Sequence, residues 1–471
     1  MTIQDVVIIG GGISGLSAAY FLHKKSPGLR ITLLESDSRW GGKIRTERID
    51  GFVIEGGPDC FLAAKPQATA LCRELGLGES LQGTNPSQRS TYILHKNQLQ
   101  PIPAGLVSMV PTDFKAMAAT RLLSWPQKAR MALDLVLPPR ADSSDESVGA
   151  FVSRRLGRAA YDNLIQPLIA GIYTGDGDAL SIAATFPALR EMEQQHGGLI
   201  RGALARRKQS LASGESSAHS RAAFLTPLNG LAALPEALVA SLQKSGADLR
   251  LNTSVSRISS PNPQSPIPNS YTIEIENAAP LEADAVILAT PAHVSASLLA
   301  AIDPQLASDL QKIPLASTAT VSLAYPLADL PLALNGYGYV IPRREQRSAL
   351  ACTWTSSKFD GRAPNGYALL RVFIGRAGQS LPASDDEILA LARAELAQTM
   401  SIQAAPTLSR VFRWENAMPQ YNLGHLERMA RIATAAEKYP RLALAGNIYK
   451  GVGIPDCIHS GALAAEKVLR L

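Results

Sequence analysis

The residues Gly10-Gly11-Gly12-Ile13-Ser14-Gly15 have the types and spacing of a turn that binds phosphate. They satisfy the pattern G-x-G-x-x-G, in which the first glycine permits a tight turn, the second lets the backbone approach a pyrophosphate, and the third lets a helix pack closely on a strand. Glu35 follows Gly15 by twenty residues, where a carboxylate accepts hydrogen bonds from ribose hydroxyls. The combination predicts a dinucleotide site, and the charge of Glu35 disfavours a 2′-phosphate. The alternative is a glycine-rich turn without a ligand.

A second run that could approach a cofactor is Arg39-Trp40-Gly41-Gly42-Lys43-Ile44-Arg45-Thr46. Its glycine pair would let the chain pass close to a bound group, and Lys43 and Arg45 would meet phosphate oxygens. A polar turn with two solvated cations is the alternative interpretation.

These residues need a strand, a helix and a second strand to position them. Val6 to Ile9 is an apolar run that predicts a buried strand, and Ile13, Leu16 and Ala19 recur at helical spacing. Residues 31–36 predict the second strand. Two apolar strands joined by one helix within thirty residues predict a βαβ unit in a parallel sheet, so the fold class is α/β with a Rossmann-type domain.

The chain of 471 residues is longer than one core normally supports, so we expect two or three regions. Longer segments without strand alternation predict helices between Ser87 and Arg221, with Pro126 as a break. Runs typical of strands follow His293 and predict an antiparallel or mixed sheet. We predict a dinucleotide-binding domain assembled from residues 1–86, 222–294 and 435–471, a helical insertion at 87–221, and a mixed-sheet substrate-binding domain at 295–434.

Two shorter segments within the returning α/β pattern also have predicted structures. Residues 247–258 predict one strand, and the Ser/Pro/Asn-rich residues 259–270 predict a loop. The last thirty residues predict a strand, a glycine-containing loop and a helix.

The composition excludes several classes of protein. Hydrophobic residues make up 46% of the chain and charged residues 18%, which excludes wholesale disorder. The uncharged stretch from Val6 to His23 is interrupted by four glycines, so we predict no transmembrane helix. The first residues show neither a basic segment nor a cleavage site, and we therefore expect a cytoplasmic protein without a secretory signal. Four cysteines stand far apart without a CxxC pair, so neither disulfides nor a metal site is predicted.

The net charge of +6 is concentrated in the predicted helical insertion, which has sixteen Lys and Arg and eleven Asp and Glu. A basic region can meet nucleic acid, an anionic membrane or a carboxylate-rich substrate. Its densest run, Arg206-Arg207-Lys208, lies beside the Ser/Gly/Ala-rich residues 211–220, which favours a solvated linker. We predict no nucleic-acid partner.

At this point the sequence resembles flavin-dependent amine oxidases and their relatives. The shared features are the GG-x-x-x-T run from Gly41 to Thr46 and the strings Asp284 to Pro291 and Leu444 to Asn447. The resemblance narrows to the protoporphyrinogen and coproporphyrinogen oxidases of haem biosynthesis and extends from about Val6 to Leu469. The residues on which it rests are Gly57-Pro58-Asp59, Gly171 to Asp176, Leu180 to Ile182, Met418 to His425 and Gly451 to Ile458.

The resemblance implies non-covalently bound FAD. The implied cofactor-binding residues are Gly10, Gly11, Gly12, Ile13, Ser14, Gly15, Glu35, Ser36, Gly42, Lys43, Gly57, Pro58, Asp59, Val255, Gly446, Val452, Gly453 and Ile454. A helix that starts near Pro455 would direct its positive end at the flavin ring and stabilise negative charge on the reduced form. Asp456 would equally serve as a plain helix cap.

The resemblance also implies substrate-binding residues. Arg89 is similar to an arginine that some relatives place against a porphyrinogen propionate, and a surface arginine without a role is the alternative. The other implied positions, which could equally belong to ordinary core elements, are Gly171, Tyr173, Val340, Phe373 and Ile374. Several relatives have a basic residue where this chain has Asp59, so an electrostatic role there does not transfer. Arg45, Arg371 and Arg376 are further cations that could approach the substrate.

The sequence contains no recognisable catalytic triad, metal cluster or acid pair, and catalytic residues are not predicted. His293 and His425 are expected to be structural, and Cys457 a small buried side chain.

The function that the resemblance implies is FAD-dependent six-electron oxidation of a porphyrinogen, with O2 as acceptor. A related flavin amine oxidase or carotenoid desaturase stays open, as does a non-catalytic flavoprotein partner in haem synthesis. Turnover of both coproporphyrinogen III and protoporphyrinogen IX is expected, and neither the physiological substrate nor the oligomeric state is predicted. The resemblance implies that the basic insertion lies near a membrane, and its modest charge and lack of a long apolar span predict at most a weak, reversible peripheral contact with the inner face of the cell membrane.

Overall fold

The computed structural model describes residues 3–142, 144–212, 223–259 and 270–470. In chain order its strands are β1 (Asp5–Ile9), β2 (Arg30–Leu34), β3 (Thr46–Ile49), β4 (Phe52–Glu55), β5 (Phe61–Leu62), β6 (Leu81–Gly83), β7 (Thr91–His95), β8 (Gln98–Pro101), β9 (Leu106–Val107), β10 (Val110–Pro111), β11 (Phe224–Pro227), β12 (Asp248–Arg250), β13 (Val255–Ser259), β14 (Tyr271–Ile275), β15 (Leu281–Ala283), β16 (Ala285–Leu288), β17 (Leu315–Pro326), β18 (Gly338–Val340), β19 (Ala349–Trp354), β20 (Tyr367–Ile374), β21 (Leu408–Pro419) and β22 (Leu442–Leu444).

The α-helices are α1 (Ile13–Lys25), α2 (Pro66–Glu74), α3 (Phe114–Ala119), α4 (Trp125–Ala132), α5 (Val148–Leu156), α6 (Arg158–Ala160), α7 (Gln166–Tyr173), α8 (Ile182–Thr185), α9 (Pro187–His196), α10 (Leu199–Ala212), α11 (Ala233–Lys244), α12 (Ala292–Leu299), α13 (Pro304–Gln311), α14 (Thr355–Lys358), α15 (Asp385–Met400), α16 (His425–Ala436) and α17 (Ile454–Leu469). A π-helix spans Tyr161–Ile165, and short 3₁₀ helices span Gly78–Ser80, Leu133–Leu135, Leu327–Asp329 and Arg343–Glu345.

A five-stranded parallel sheet forms the first layer, in the order β12-β2-β1-β16-β22. The predicted βαβ unit is confirmed, because β1 and β2 pair in parallel and α1 connects them. Helix α17 returns from the end of the chain and packs on α1. A side chain on Gly461 would come within 2.3 Å of the Ser14 carbonyl oxygen, so glycine allows this close helix contact.

A seven-stranded mixed sheet forms the second large layer, in the order β21-β17-β20-β19-β18-β7-β8, with β18 and β7 parallel and its other pairs antiparallel. Side chains alternate across its central strands. Val321 and Val372 lie on the face that α15 covers, whereas Thr320 and Phe373 lie on the opposite face. The mixed sheet predicted after His293 is therefore present.

The segment 87–221 is less uniformly helical than its pattern predicts. Helices α3 to α10 share a hydrophobic core, but β7 and β8 join the edge of the seven-stranded sheet, where their short length hid the alternation. Pro126 does not break a helix. It is the second residue of α4, where its missing N–H is not needed.

One further expectation changes on the structure, and two others are not tested by it. Residues 247–258 form two strands in different sheets, because a turn at Asn252, with φ of 50°, separates β12 from β13. Residues 213–222 and 260–269, which include most of the predicted linker and loop, lie outside the described residues. The domain boundaries stay predictions.

Within the described ranges, no helix is long and apolar enough to cross a bilayer. The same residues contain no cluster of three or more His, Cys, Asp or Glu that could hold a metal ion, and all four cysteines are free.

Candidate functional site

The glycine turn between β1 and α1 has one closed side and one open side. Gly10 has φ of 108°, and a side chain there would lie 2.6 Å from the Ala289 carbonyl oxygen, while one on Gly15 would lie 1.9 Å from the Gly10 carbonyl oxygen. A side chain on Gly12 would meet no protein atom within 4 Å. The turn therefore leaves space at the position where the pattern expects a pyrophosphate.

Glu35 lies at the end of β2, directly beside this turn. One carboxylate oxygen accepts a hydrogen bond from the Gly11 N–H at 2.6 Å, and the other accepts from the Asp37 N–H at 2.9 Å and the Ser36 hydroxyl at 3.3 Å. Thr253 donates its N–H to the Glu35 carbonyl at 2.8 Å, which brings the nearby Val255 to the same end of the sheet. The carboxylate is thus fixed by backbone groups where a ribose would pass.

The second glycine run passes against the first. Gly41 donates its N–H to the Gly11 carbonyl at 2.9 Å, and a side chain on Gly42 would come 3.1 Å from the Gly12 Cα. Arg39 holds this turn by donating to the carbonyl oxygens of Gly42 at 2.6 Å and Ile44 at 3.2 Å. Sequence reasoning assigns Arg39 no role, because its partners are backbone carbonyls, which leave no signature in the residue types.

Lys43 and Arg45 have different environments. The Lys43 side chain is largely enclosed, and among the described residues it forms neither an ion pair nor a hydrogen bond. Burial lowers the pKa of its ammonium group, an effect that the nearby Cys457 partly offsets. Arg45 is exposed, and its guanidinium lies 4.9 Å from the centre of the Phe412 ring. Lys43 is therefore the enclosed cation of this run that an anionic cofactor would complement.

Gly57 to Asp59 connect the turn to the seven-stranded sheet. A side chain on Gly57 would lie 1.8 Å from the Lys43 carbonyl oxygen, so the two backbones touch. Asp59 accepts from the Lys358 ammonium at 2.9 Å and from the Cys60 thiol at 3.0 Å. Burial raises the pKa of the Asp59 carboxyl, but the charges of Lys358 and Arg371 outweigh burial and hold that pKa below its usual range. A basic side chain is thus present beside position 59, but it is Lys358 of α14 and not a residue at position 59 itself.

Polar side chains from the seven-stranded sheet hold Gly56 and Gly57. Thr320 donates its hydroxyl and Trp414 its indole N–H to the Gly56 carbonyl, at 2.7 and 2.8 Å. Arg371 donates to the Gly57 carbonyl, and burial lowers the pKa of its guanidinium. Sequence reasoning missed Thr320 and Trp414, and it placed Arg371 only among the cations that could approach the substrate. The available signal was polar residues in otherwise apolar strands.

The loop before α17 contains the last group of predicted cofactor residues. Gly446 has φ of 139°, and a side chain there would meet no atom within 4 Å. Tyr421 accepts a hydrogen bond from the Gly451 N–H at 3.0 Å and donates to the Asn447 carbonyl, so it joins two of the strings that specify the resemblance.

The first turn of α17 follows this loop. Asp456 accepts from the Gly453 N–H at 3.3 Å and pairs with Lys65 at 2.6 Å, which is the capping role considered as its alternative. Burial raises the pKa of the Cys457 thiol to about 11, so this group stays protonated and a poor nucleophile near neutral pH.

Some of the predicted substrate residues share one surface. Val340, Ala351 and Phe373 are neighbours across β18, β19 and β20, and Ala170 of α7 packs against them. Gly171 is exposed, and a side chain there would meet no atom within 4 Å. This half-buried apolar row is the part of the predicted lining that the fold brings together.

Two predicted substrate residues lie elsewhere. Ile374 is buried beneath α15, because successive residues of a strand point to opposite faces and Phe373 takes the other face. Tyr173 is buried in the helical core, with its ring 5.7 Å from Phe186 and 5.9 Å from Tyr421. Both side chains therefore lie in core positions, which is the alternative considered for them, and their place in a substrate site stays a prediction.

Arg89 lies in the exposed segment before β7 and donates its Nε–H to the Pro86 carbonyl at 3.0 Å.

His425 is buried and its ring is stacked on that of Tyr421 at 4.1 Å, and burial lowers its pKa to about 4. Burial also lowers the pKa of His293, as does the charge of Lys43. Both imidazoles are consistent with the structural roles expected for them.

Comparison with known proteins gives full-length matches. The family model described as flavin containing amine oxidoreductase matches residues 13–469. The coproporphyrinogen III oxidase of Bacillus subtilis (strain 168) is 37% identical over 99% of this chain and 98% of its own length. The protoporphyrinogen oxidase of Homo sapiens is 32% identical over 99% of this chain and 98% of its own. A solved structure from Exiguobacterium sp. 255-15, provisionally named protoporphyrinogen oxidase, has a TM-score of 0.86 and 34% identity and covers 100% of this chain and 99% of its own.

Proposed function

The chain belongs to the flavin containing amine oxidoreductase family, and from this we propose that it is an FAD-dependent porphyrinogen oxidase of haem synthesis. The main support is similarity over 99% of the chain to proteins named for oxidation of coproporphyrinogen III and protoporphyrinogen. The reaction removes six electrons and six hydrogens from the macrocycle in three two-electron steps. Three O2 accept them and leave as three H2O2, so the sum is porphyrinogen plus three O2 to porphyrin plus three H2O2.

The residues described above fit a dinucleotide. Gly12 leaves room for a pyrophosphate, Glu35 presents a fixed carboxylate for a ribose, and Lys43 is an enclosed cation that would balance negative charge. A bound flavin would supply the two-electron acceptor, while the protein binds and orients the macrocycle and excludes water. Non-covalent attachment is supported by the protonated, buried Cys457 thiol.

The macrocycle would lie along the apolar row of Val340, Ala351 and Phe373. Its carboxylates would extend to the polar edge of this surface, where we place Arg89 as a propionate-binding residue because a planar guanidinium suits a carboxylate. Both coproporphyrinogen III and protoporphyrinogen IX are proposed substrates, since an edge open to solvent accepts extra carboxylates with little desolvation.

Anaerobic mixing with each porphyrinogen tests the proposal. We expect the yellow flavin absorbance to bleach and porphyrin fluorescence to appear, followed by peroxide release when O2 is admitted. An amine or a carotene precursor that bleaches the flavin when porphyrinogens do not would favour a related oxidase or desaturase. A flavin that no porphyrinogen reduces would indicate a non-catalytic partner.

A reversible contact with an anionic membrane is a second proposal, favoured by exposed apolar side chains in the basic insertion. These side chains are Phe114 on α3, Trp125 on α4 and Val136, whose exposed fractions are 55%, 70% and 75%. Lys128 lies 4.7 Å from the Trp125 ring centre and ties the end of α3 to α4 through the Ala118 carbonyl at 2.7 Å. Exposed aromatic side chains beside cations are typical of interfacial binding.

A further inference from the structure

A small polar pocket lies between α7 and the end of β20, outside the cofactor residues. It is lined by Gln166, Gly175, Asp176, Arg343, Arg376, Ala377 and Gln379. Gly175 follows the end of α7 by two residues, and Arg376 follows the end of β20 by two, so the pocket lies at the ends of two of the elements that contribute to the apolar row. The exposed Gln379 side opens it to solvent.

Arg376 is a fixed cation in this pocket. Its side chain is buried, and one guanidinium nitrogen donates to the carbonyl oxygens of Ile341 at 3.3 Å and Ala349 at 3.1 Å. Within the described ranges no carboxylate forms an ion pair with it. Burial, reinforced by the charge of Arg343, lowers its pKa to about 10, so Arg376 remains protonated near neutral pH. A buried cation held by carbonyl dipoles alone is incompletely compensated.

Arg343 is a second cation with a replaceable partner. It pairs with Asp176, and the exposed fractions of the two side chains are 59% and 35%. A pair this exposed contributes little to stability, so Arg343 can exchange Asp176 for another carboxylate. Asp176 also faces the pocket, which leaves one net positive charge among these three groups.

Gln166 adds a directional donor. Its side-chain oxygen accepts a hydrogen bond from the backbone N–H of Arg343 at 3.1 Å, which leaves the side-chain NH2 of Gln166 for a ligand. Gln166 directly follows the π-helix Tyr161–Ile165, a distortion that is frequent at functional sites. Two guanidinium groups and an amide donor match the two oxygens of a carboxylate.

We infer that this pocket binds one propionate carboxylate of the porphyrinogen, with Arg376 as the fixed cation and Arg343 as the exchangeable one. The inference rests on the proposed function. It adds a second carboxylate site to the one placed at Arg89, and it favours coproporphyrinogen, which has four propionates, over protoporphyrinogen, which has two.

Binding of the product to the FAD-loaded protein tests the inference independently of turnover. We expect Arg343→Gln to raise the Kd of coproporphyrin III about tenfold, the loss of a charged hydrogen bond, and Asp176→Asn to lower it by removing the competing carboxylate. Coproporphyrin tetramethyl ester, which has no carboxylate, should bind all variants equally. In turnover Arg343→Gln should raise KM for coproporphyrinogen with kcat unchanged.

Arg347→Gln is the matched control, because Arg347 follows the same 3₁₀ helix but pairs with Asn97 at 2.8 Å and does not line the pocket. If Arg343→Gln and Arg347→Gln raised the Kd of coproporphyrin III equally, the change would reflect the overall charge of the protein, and the inference would be overturned. Inorganic phosphate that binds in the pocket without changing the Kd of coproporphyrin III would assign the pocket to a free anion and also overturn the inference. A wild type that oxidises no porphyrinogen would refute the proposed function instead.

Discussion

Glycine is needed at positions 10, 12 and 15 for two different reasons. At Gly10 and Gly15 a side chain would collide with backbone oxygen atoms, so these positions determine how α1 packs on the sheet. At Gly12 nothing in the protein opposes a side chain, and the constraint would come from the ligand alone. The contrast separates a requirement of folding from a requirement of binding.

Replacement of Gly12 by leucine should therefore abolish flavin retention while the protein stays folded. A Cβ atom at this position would meet no protein atom within 4 Å, so the leucine side chain would extend into the space expected for the pyrophosphate. The measurement is the flavin absorbance that remains after gel filtration, with the circular dichroism spectrum as a check of folding. Gly28→Leu is the control, because Gly28 also faces open space but lies in an exposed turn away from the site. Retention of flavin by Gly12→Leu would contradict the assignment.

Arg89→Ala should raise KM for both porphyrinogens by about 10- to 150-fold, since loss of a charge-assisted hydrogen bond costs about 1.5–3 kcal/mol, with a smaller effect on kcat. Steady-state kinetics with each substrate provide the measurement, and the exposed Arg257→Ala on β13 serves as the control. Unchanged kinetics would show that Arg89 is a surface arginine without a role in binding, and the residue that binds the propionate would then be unidentified.

His425 should make stability depend on pH below neutrality. Burial holds its pKa at about 4, against 6.5 when unfolded, so the unfolded chain binds the proton more readily between these values. The contribution of His425 to the free energy of unfolding is therefore fully present above about pH 6.5. It falls toward pH 4 by up to about 1.4 kcal/mol per pH unit. Urea unfolding across this range should show a smaller slope for His425→Gln than for wild type. The exposed His459→Gln should keep the wild-type slope.

At the scale of elements, the contact between the segment Gly57 to Asp59 and the seven-stranded sheet depends on buried charged side chains. Asp59 follows β4, whereas Lys358 ends α14 and Arg371 lies on β20. The side chains of Asp59 and Lys358 are only 14% and 13% exposed. Breaking such a pair leaves a charge without compensation, which is more costly than replacing both partners.

Lys358→Met should destabilise the protein by about 3–5 kcal/mol, and Asp59→Asn by more, because Arg371 loses its nearby carboxylate as well. The double variant should recover part of the loss. Urea unfolding of the four proteins gives the coupling. Arg48→Gln, which breaks an exposed pair with Glu236, should cost less than about 1 kcal/mol. Additive losses in the double variant would show that the pair is not coupled.

The sequence predicts elements whose information is local and misses contacts that depend on register. The βαβ unit and the open side at Gly12 follow from short-range spacing. The positions of Thr320, Arg371 and Trp414 against Gly56 and Gly57 depend on how β17, β20 and β21 pair, which no spacing reveals. The same limit explains Ile374, since one step along β20 exchanges the two faces of the sheet.

At the scale of the whole molecule, the proposed contact with anionic membranes depends on the basic insertion. We expect weak binding to vesicles of anionic lipid that is lost as salt is added, because screening acts over a Debye length of about 8 Å at physiological ionic strength. Trp125→Ser should weaken this binding, and Leu327→Ser, at an exposed leucine of the 3₁₀ helix that follows β17, should not. Vesicle sedimentation provides the measurement. Binding that resists salt would show that apolar insertion dominates.

The parallel sheet also has a consequence for how the protein is made. Its central strand β1 ends at Ile9, whereas its edge strand β22 begins at Leu442, and α17, which packs on α1, comes later still. At about 5–20 residues per second, translation delivers these partners on the order of tens of seconds after β1. A growing chain on the ribosome consequently holds an incomplete cofactor cradle with apolar strand edges uncovered. We therefore expect cofactor binding to follow the synthesis of β22 and α17, and the uncovered strand edges to be open to aggregation until then.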